Sequence, residues 1–355
     1  MTDAPAAPSP LSAAGGPRGR PRWIIVASVS AGLLFLGLLA AYTPWRLLAT
    51  RVASVPWPGW VAAVVGMSLT YALRAGRLRV EWAWKLAGLG LGYRECLQVT
   101  LLHNAAINVL PMRSGEASYA WLLHRRWGVG LGDAAASLLW LRLQDMMVLG
   151  VLGLAALVPW PLPARLALAA VAVTLAATAA PALVRLVHVR ARWARARAHV
   201  DRAVAWRRRA WHVVAKVAGA FRASRGGARA WGYAIANWGL KLGIVGTLLA
   251  SLAGLPLAPA FRGALGGELA GVVPIQAPAG VGTYEAGVAL GARVRLDHEG
   301  SASAAAPATS ATVDNPRLIF GAALAVHALM VVVALGTAFT YSLVLRPRKA
   351  PGPTA

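Results

Sequence analysis

The sequence predicts an all-α polytopic membrane protein with six full spans plus two re-entrant helical hairpins arranged as inverted repeats. Three observations lead to this prediction. The chain has 355 residues and is 58% hydrophobic, and several of its apolar runs reach the ~20 residues that a helix needs to cross a bilayer. Two further apolar segments are too long for one crossing and are interrupted by proline and glycine. Basic residues cluster between the apolar runs, as expected of cytoplasmic loops.

The two ends of the chain are predicted to be cytoplasmic tails. Residues 1–22 are rich in Pro, Ala and Gly and offer little to pack, so we expect disorder there. The run 23–42 follows three arginines, as in a signal peptide, but its apolar core is longer than a signal sequence needs and further spans follow. We therefore interpret it as an uncleaved first helix. After the last apolar run only residues 346–355 remain, and we expect no soluble catalytic domain there.

Charge placement predicts the topology. The full spans are expected at about 23–42, 57–73, 132–158, 164–187, 231–253 and 317–345, with broken inserts at 95–127 and 261–292. Basic residues flank the first insert on both sides: Arg74, Arg77, Arg79, Lys85 and Arg94 precede it, and Arg125 and Arg126 follow it. Both of its ends are therefore predicted to be cytoplasmic. The same treatment of the second insert puts the basic loop 185–230 and both termini in the cytoplasm.

This topology divides the chain into two repeats, 23–158 and 164–345. Each reads span, span, hairpin, span, but the first starts in the cytoplasm and the second starts outside. The hairpins also share a local pattern, NVLPMRSGEA at 108–117 and GVVPIQAPAGVGTYEAG at 271–287. Each has two apolar residues, a proline, a glycine-containing elbow and then a glutamate. Inverted repeats with broken helices in matching positions are typical of transporters whose site lies near the midplane.

The breaks themselves predict a hydrated cleft. Pro111 removes a backbone donor and Gly115 gives a free elbow, and irregular backbone at membrane depth is tolerated only where it is buried in protein or lines a wet cavity. The charges of Arg113 and Glu116 favour the cavity. The helix that restarts near Gly115 is expected to present N–H groups to a phosphate, with the Arg113 guanidinium beside it. The second break is predicted at Pro274, Pro278, Gly280 and Gly282.

The predicted headgroup-binding set is Asn104, Asn108, Arg113, Glu116, Arg142, Asp145, Tyr284 and Glu285. Several members also have a structural interpretation. Arg113 and Glu116 either bind substrate or pair with each other one helical turn apart. Asn104 and Asn108 either bind the headgroup or satisfy the broken backbone.

Other charged groups at depth leave similar alternatives. Arg142 and Asp145 form either a buried structural pair or part of the site. Either hairpin glutamate, Glu116 or Glu285, is a candidate for a coupling proton. Glu268 is a further candidate carboxylate. Lys241 either snorkels or neutralises a carboxylate, and His327 is interpreted as a satisfied polar residue.

Several functions are not expected. A net charge of +24 suits nucleic acid in a soluble protein, but here the charge follows the positive-inside rule. No GxxxxGK[ST], HExxH or GxSxG motif occurs, and the single cysteine, Cys96, excludes an internal disulfide. We therefore expect no cofactor, no metal and no enzyme activity. The loop 185–230 is either an amphipathic helix on the inner leaflet or a loop that only fixes topology.

The segments 108–150 and 272–292 resemble the two signature regions of the lysylphosphatidylglycerol synthase transmembrane-region family. These flippase-like proteins include the N-terminal half of multiple peptide resistance factor. The resemblance implies a lipid-translocating domain and carries over to these positions: Asn108, Pro111, Arg113, Gly115, Glu116, Arg142, Asp145, Pro274, Pro278, Gly280, Gly282 and Glu285. Without the synthase domain of the full-length factors, the substrate need not be their aminoacylated phosphatidylglycerol. Relatives associated with glycosyltransferases leave polyprenyl-linked sugars open.

These patterns favour a flippase or scramblase that moves a phospholipid or another phosphate-bearing amphiphile, with anionic membrane lipids as its partners. The alternative is an accessory subunit of a cell-envelope glycosyltransferase or aminoacyl-lipid synthase, in which the cleft only presents substrate. Intramembrane catalysis ranks last.

Overall fold

In a computed structural model, the described residues are Gly37 and the ranges 40–86, 92–158, 160–172, 227–272, 278–294 and 315–344. For 82–86, 111–113 and 278 this description covers the backbone alone. The chain divides into two compact units, Met1–Thr43 and Pro44–Ala355. The helices below belong to the second unit, and every regular element among its described residues is helical.

Ten α-helices are described: α1 Trp45–Ser54, α2 Trp57–Leu86, α3 Tyr93–Val109, α4 Ala117–Trp127, α5 Leu131–Leu157, α6 Leu162–Ala172, α7 Gly227–Ala253, α8 Leu257–Ala270, α9 Thr283–Arg293 and α10 Pro316–Val344. Two short 3-10 segments complete the described elements. The first turn, Pro111–Glu116, lies between α3 and α4, and the second turn, Pro278–Gly280, precedes α9.

Three helices are long and apolar enough to cross a membrane. They are α5, α7 and α10, with 27, 27 and 29 residues, and they coincide with the predicted spans 132–158, 231–253 and 317–345. A fourth candidate is the bent pair of α1 and α2. The predicted spans 23–42 and 164–187 lie mostly outside the described residues, as does the predicted basic loop 185–230 before its last four residues.

The helix that contains the second predicted span, 57–73, is longer than that span. Helix α2 continues to Leu86, so Arg74 and Arg77 lie inside a helix. The helix is preceded by α1, and the two axes meet at 91°. The corner forms at Pro56, because the residue before a proline is pushed out of the helical region. Val55 accordingly has an extended backbone, with ψ 120.

Helices α3 and α4 form the first helix pair. Leu110 is extended, with ψ 134, because Pro111 follows it, and the helix ends there as predicted. The first turn then folds back, so that a Cβ at Gly115 would overlap the backbone of Ala106 and Ile107. The side chains of His103 and Ser118 are 3.1 Å apart, and the two helices therefore run antiparallel.

Helices α8 and α9 form the second helix pair, which is also antiparallel. Their contact is made by glycines: Gly263 lies against Val288, and Gly266 lies against the backbone of Gly287 and Gly291. With no side chains between them, the two backbones approach closely. The predicted break after α8 includes Pro274, which is outside the described residues. Gly280 and Gly282 have φ values of +83 and +88, a conformation that glycine adopts without strain.

The two turns lie next to each other, and the helix pairs pack among the long helices. The larger apolar core joins α7, α8, α9 and α10 around Val245, Leu249, Val288 and Ile319. A smaller core lies beneath the first helix pair and includes Cys96, which is fully buried. Apolar packing on both sides therefore fixes the two turns relative to each other.

We predict that Gly266→Ala destabilises the protein, because the new methyl group has no room between the helices of the second helix pair. Overpacking of this kind costs about 1–3 kcal/mol in the free energy of unfolding. Gly243→Ala on α7 is the matched control, since nothing lies within 4 Å of its Cβ position. Thermal unfolding of the purified protein in detergent would measure both, and equal stability of the two variants would contradict the glycine contact.

Candidate functional site

A cavity of about 200 Å³ lies between the two helix pairs and the helices α2, α5, α7 and α10. Its polar lining consists of Thr70, Tyr71, Arg74, Asn104, Asn108, Arg142, Asp145, Lys241, Glu268, Tyr284 and His327. Asp145 and Lys241 each lie 14 residues after the start and 12 before the end of their helices, α5 and α7. The charged lining is thus concentrated halfway along the long helices.

Asp145 is the most highly connected carboxylate of the site. It accepts two hydrogen bonds from the Arg77 guanidinium, at 2.6 and 3.2 Å, and a third from the indole Nε1 of Trp238 at 2.9 Å. Its side chain is almost completely buried. The predicted partner, Arg142, is 4.0 Å away, so the main ion pair joins α5 to α2 and not one turn of α5 to the next.

Arg142 instead holds the first turn. Its Nη2 donates to the Glu116 carboxylate at 3.0 Å, and the His103 ring lies 3.6 Å from the same carboxylate. The predicted pairing of Glu116 with Arg113 stays a prediction, and the longer-range pair with Arg142 is a contact that the sequence did not predict. The Arg113 side chain lies outside the described residues. The ion pair with Arg142 ties the tip of the first helix pair to α5.

Lys241 neutralises Glu268, one of the two alternatives for this lysine. The Lys241 Nζ lies 2.7 Å from the Glu268 carboxylate and 5.3 Å from the ring centre of Trp238. Since Lys241 is on α7 and Glu268 on α8, this pair ties the second helix pair to a long helix. Breaking such a buried pair is costly, because removal of one partner leaves the other charge buried and unpaired.

Arg74 is the cation of the cavity that sequence reasoning missed. Its guanidinium donates to the side-chain oxygens of Asn104, at 3.0 Å, and Asn237, at 3.3 Å. Among the described residues these acceptors are neutral amides, whereas Arg142 and Lys241 each have a carboxylate. The signal was present in the spacing of Arg74, Arg77 and Glu81, which occupy one helical face. Glu81 is fully buried and accepts a hydrogen bond from Gln144.

Asn104 and Asn108 both bond to the backbone of their own helix and line the cavity. Their amide groups donate to the carbonyls of Thr100, at 2.7 Å, and of Asn104, at 2.8 Å. Both residues nevertheless line the cavity, and the Asn104 oxygen accepts from Arg74. They stabilise the last turn of α3 and present polar atoms to the cavity at the same time.

Glu285 lies behind the cavity wall and is fully buried. One of its oxygens accepts from the backbone N–H of Gly282 at 2.6 Å, and the other lies 2.8 Å from Nδ1 of His327. The N-terminus of α9 is therefore capped by its own glutamate, which accepts the Gly282 N–H. Tyr284 and His327 do reach the cavity, and their rings are 4.8 Å apart.

The arrangement suits an anion better than a metal. The described residues contain no group of three or more His, Cys, Asp or Glu placed around a metal ion. Three cations, Arg74, Arg142 and Lys241, line the cavity with two carboxylates, Asp145 and Glu268. Charge-assisted hydrogen bonds from guanidinium groups are strong and directional, and phosphate fits their geometry.

We predict that Asp145→Leu strongly destabilises the protein, because Arg77 would remain buried without its carboxylate. Breaking a buried pair from one side costs about 3–5 kcal/mol in the free energy of unfolding. The double variant Asp145→Leu, Arg77→Met should recover most of this loss, since it removes both charges. Chemical denaturation in detergent would compare the three proteins. A double variant no more stable than the single one would show that the pair is not the cause.

Comparison with known proteins identifies the family of the chain. The family model described as lysylphosphatidylglycerol synthase TM region matches residues 23–313, more than half of the chain and both breaks. No curated protein and no solved structure matches the chain. The chain therefore belongs to the lysylphosphatidylglycerol synthase transmembrane-region family, as its two signature regions predicted.

Proposed function

We propose that this protein moves a phospholipid or another phosphate-bearing amphiphile across the cell membrane, in the manner of a flippase or scramblase. One observation carries the proposal: on the cavity wall, the Arg74 guanidinium donates its described hydrogen bonds to two neutral amide oxygens and lies 5.8 Å from the ring centre of Trp238. An anion is a stronger acceptor for a guanidinium than an amide oxygen is. A headgroup phosphate is an anion of suitable geometry, and a family associated with lipids supports this choice.

The placement in the membrane is part of the proposal. In this interpretation the two helix pairs are re-entrant hairpins, and the two halves of the chain are inverted repeats with cytoplasmic termini. The helix lengths support it, because α8 and α9 have 14 and 11 residues and span only roughly 21 and 16 Å at 1.5 Å per residue. Such helices fall short of the hydrocarbon core. The neighbouring turns and the charged cavity between them fit a site at the midplane.

The cavity would then act as a polar passage for the headgroup while the lipid tails stay in hydrocarbon. The phosphate binds the Arg74 guanidinium and displaces the neutral Asn104 and Asn237 oxygens, which are weaker acceptors than an anion. Arg142 and Lys241 lie on the same wall, and their carboxylates keep these cations neutralised before and after the lipid passes. We retain Arg113, on the first turn, as a further phosphate ligand.

We predict that Arg74→Gln lowers the rate of lipid movement at least about tenfold, because one charge-assisted hydrogen bond is worth about 1.5–3 kcal/mol. The assay uses purified protein in liposomes with a fluorescent phospholipid and a quencher that cannot cross the bilayer. Arg79→Gln is the matched control, since Arg79 lies on the same helix but is exposed. This variant should move lipid at the wild-type rate.

Two results would count against transport. Equal rates in empty and protein-containing liposomes would exclude unaided lipid movement, and co-purification with a transferase would then favour the accessory role. Equal losses in Arg74→Gln and Arg79→Gln would show that general positive charge, and not the cavity, supports lipid movement.

A further inference from the structure

The contact between Glu285 and His327 contains a proton whose presence follows from hydrogen-bond geometry. His327 Nε2 lies 3.0 Å from the Ala279 carbonyl oxygen, and its Nδ1 lies 2.8 Å from a Glu285 oxygen. A carbonyl only accepts, so Nε2 must carry a hydrogen. The other Glu285 oxygen already accepts from the Gly282 N–H. A hydrogen must therefore also lie between Glu285 and Nδ1, either as a protonated carboxyl or as an imidazolium.

Both descriptions hold the same number of protons and give the pair no net charge. If that proton leaves, the imidazole has one N–H for two acceptors. The carboxylate is the stronger acceptor, so the remaining N–H turns to Glu285 and the Nε2 lone pair then faces the Ala279 carbonyl. The bond to Ala279 is lost, and the proton passes to water in the cavity that His327 lines.

The bond to Ala279 matters because the backbone there is strained. Ala279 has φ +57, the one positive φ of a non-glycine residue among the described residues, and this conformation is unfavourable for a residue with a Cβ. His327 is on α10, whereas Ala279 is in the second turn and lines the cavity. The imidazole thus fastens a strained turn to a long helix, beside the passage assigned to the headgroup.

The other charged groups that face the pair are already neutralised or fixed. The charged groups that line the same cavity lie on four helices: Arg74 on α2, Asp145 and Arg142 on α5, Lys241 on α7 and Glu268 on α8. The phenols of Tyr71 and Tyr284 also line it. Glu268 is held by Lys241, and Asp145 by Arg77. Arginine stays charged under all physiological conditions. Among the described groups around the cavity, the Glu285 and His327 pair is the one whose hydrogen bonds require a removable proton.

We propose that Glu285 and His327 form a proton-binding site that closes the second turn when it is occupied and frees the turn when the proton leaves. Headgroup passage then depends on proton release. This inference rests on the proposed function for the step that it controls, but the proton site itself is testable without lipid movement.

Two variants fix the two states. In Glu285→Gln the amide donates to Nδ1 while its oxygen still accepts from the Gly282 N–H, so a neutral His327 keeps its Nε2–H bond to Ala279. His327→Phe removes both bonds but keeps a ring beside Tyr284. Asp133→Asn is the matched control for loss of a carboxylate, because Asp133 is exposed at the start of α5.

The first measurement is hydrogen exchange of the backbone amides at 279–282 in the full protein, in lipid nanodiscs, after correction for intrinsic rates. One linked proton changes an equilibrium by up to about tenfold per pH unit. We expect wild type and Asp133→Asn to lose protection at least about tenfold when an acidic buffer is replaced by an alkaline one. Glu285→Gln should stay protected throughout, and His327→Phe should be unprotected throughout. Wild-type protection that does not change with pH would overturn the proton site.

The second measurement is lipid movement in liposomes at the same two pH values. We expect the wild-type rate to rise with pH, and the Glu285→Gln rate at the higher pH to stay at the wild-type rate of the lower pH. If exchange behaves as expected but no variant moves lipid, the proposed function fails and the proton site stands. If lipid moves at equal rates in wild type and Glu285→Gln at both pH values, proton control of transport is wrong.

Discussion

The ion pair between Asp145 and Arg77 is the interaction on which the rest of the cavity depends. It places a carboxylate where three helices meet, since Asp145 is on α5, Arg77 on α2, and Trp238, its third donor, on α7. Transferring each ion from water into a protein interior costs several kcal/mol. A compact network in which most cations have a carboxylate makes this burial tolerable. Arg74 differs from the other two cations of the cavity in that its described hydrogen bonds go to neutral amide oxygens.

The two turns are fastened by the same kind of contact but with different chemistry. Glu116 of the first turn pairs with Arg142 on α5, and Glu285 beside the second turn pairs with His327 on α10. The likeness of the two sequence segments thus extends to their tertiary partners. A guanidinium is always charged in proteins, whereas an imidazole carries either one N–H or two. The first glutamate therefore has a fixed cation as its partner, and the second has a partner whose number of donors varies.

The sequence predicted the features that depend on local chemistry. The first helix break follows from Pro111, which forces Leu110 out of the helix, and α5, α7 and α10 follow from their length and hydropathy. It failed where rotation of a helix about its axis decides the outcome. The charge pattern predicts that Arg74 and Arg77 flank a span. In the structure the helix continues past them, Arg74 lines the cavity and Arg77 is buried. Pairs such as Glu116 with Arg142 depend on tertiary packing, and the spacing of residues along the sequence does not predict it.

The glycine contact of the second helix pair has a mechanical consequence. Because backbone meets backbone at Gly266, Gly287 and Gly291, there are no intervening side chains whose rotamers could absorb a displacement. The helix pair should therefore move as one rigid body. Its hinge is expected just before α8, at Gly254, with φ +66, and Pro256. A small displacement at one end of α8 would then reach its other end, because the helix is roughly 21 Å long at 1.5 Å per residue.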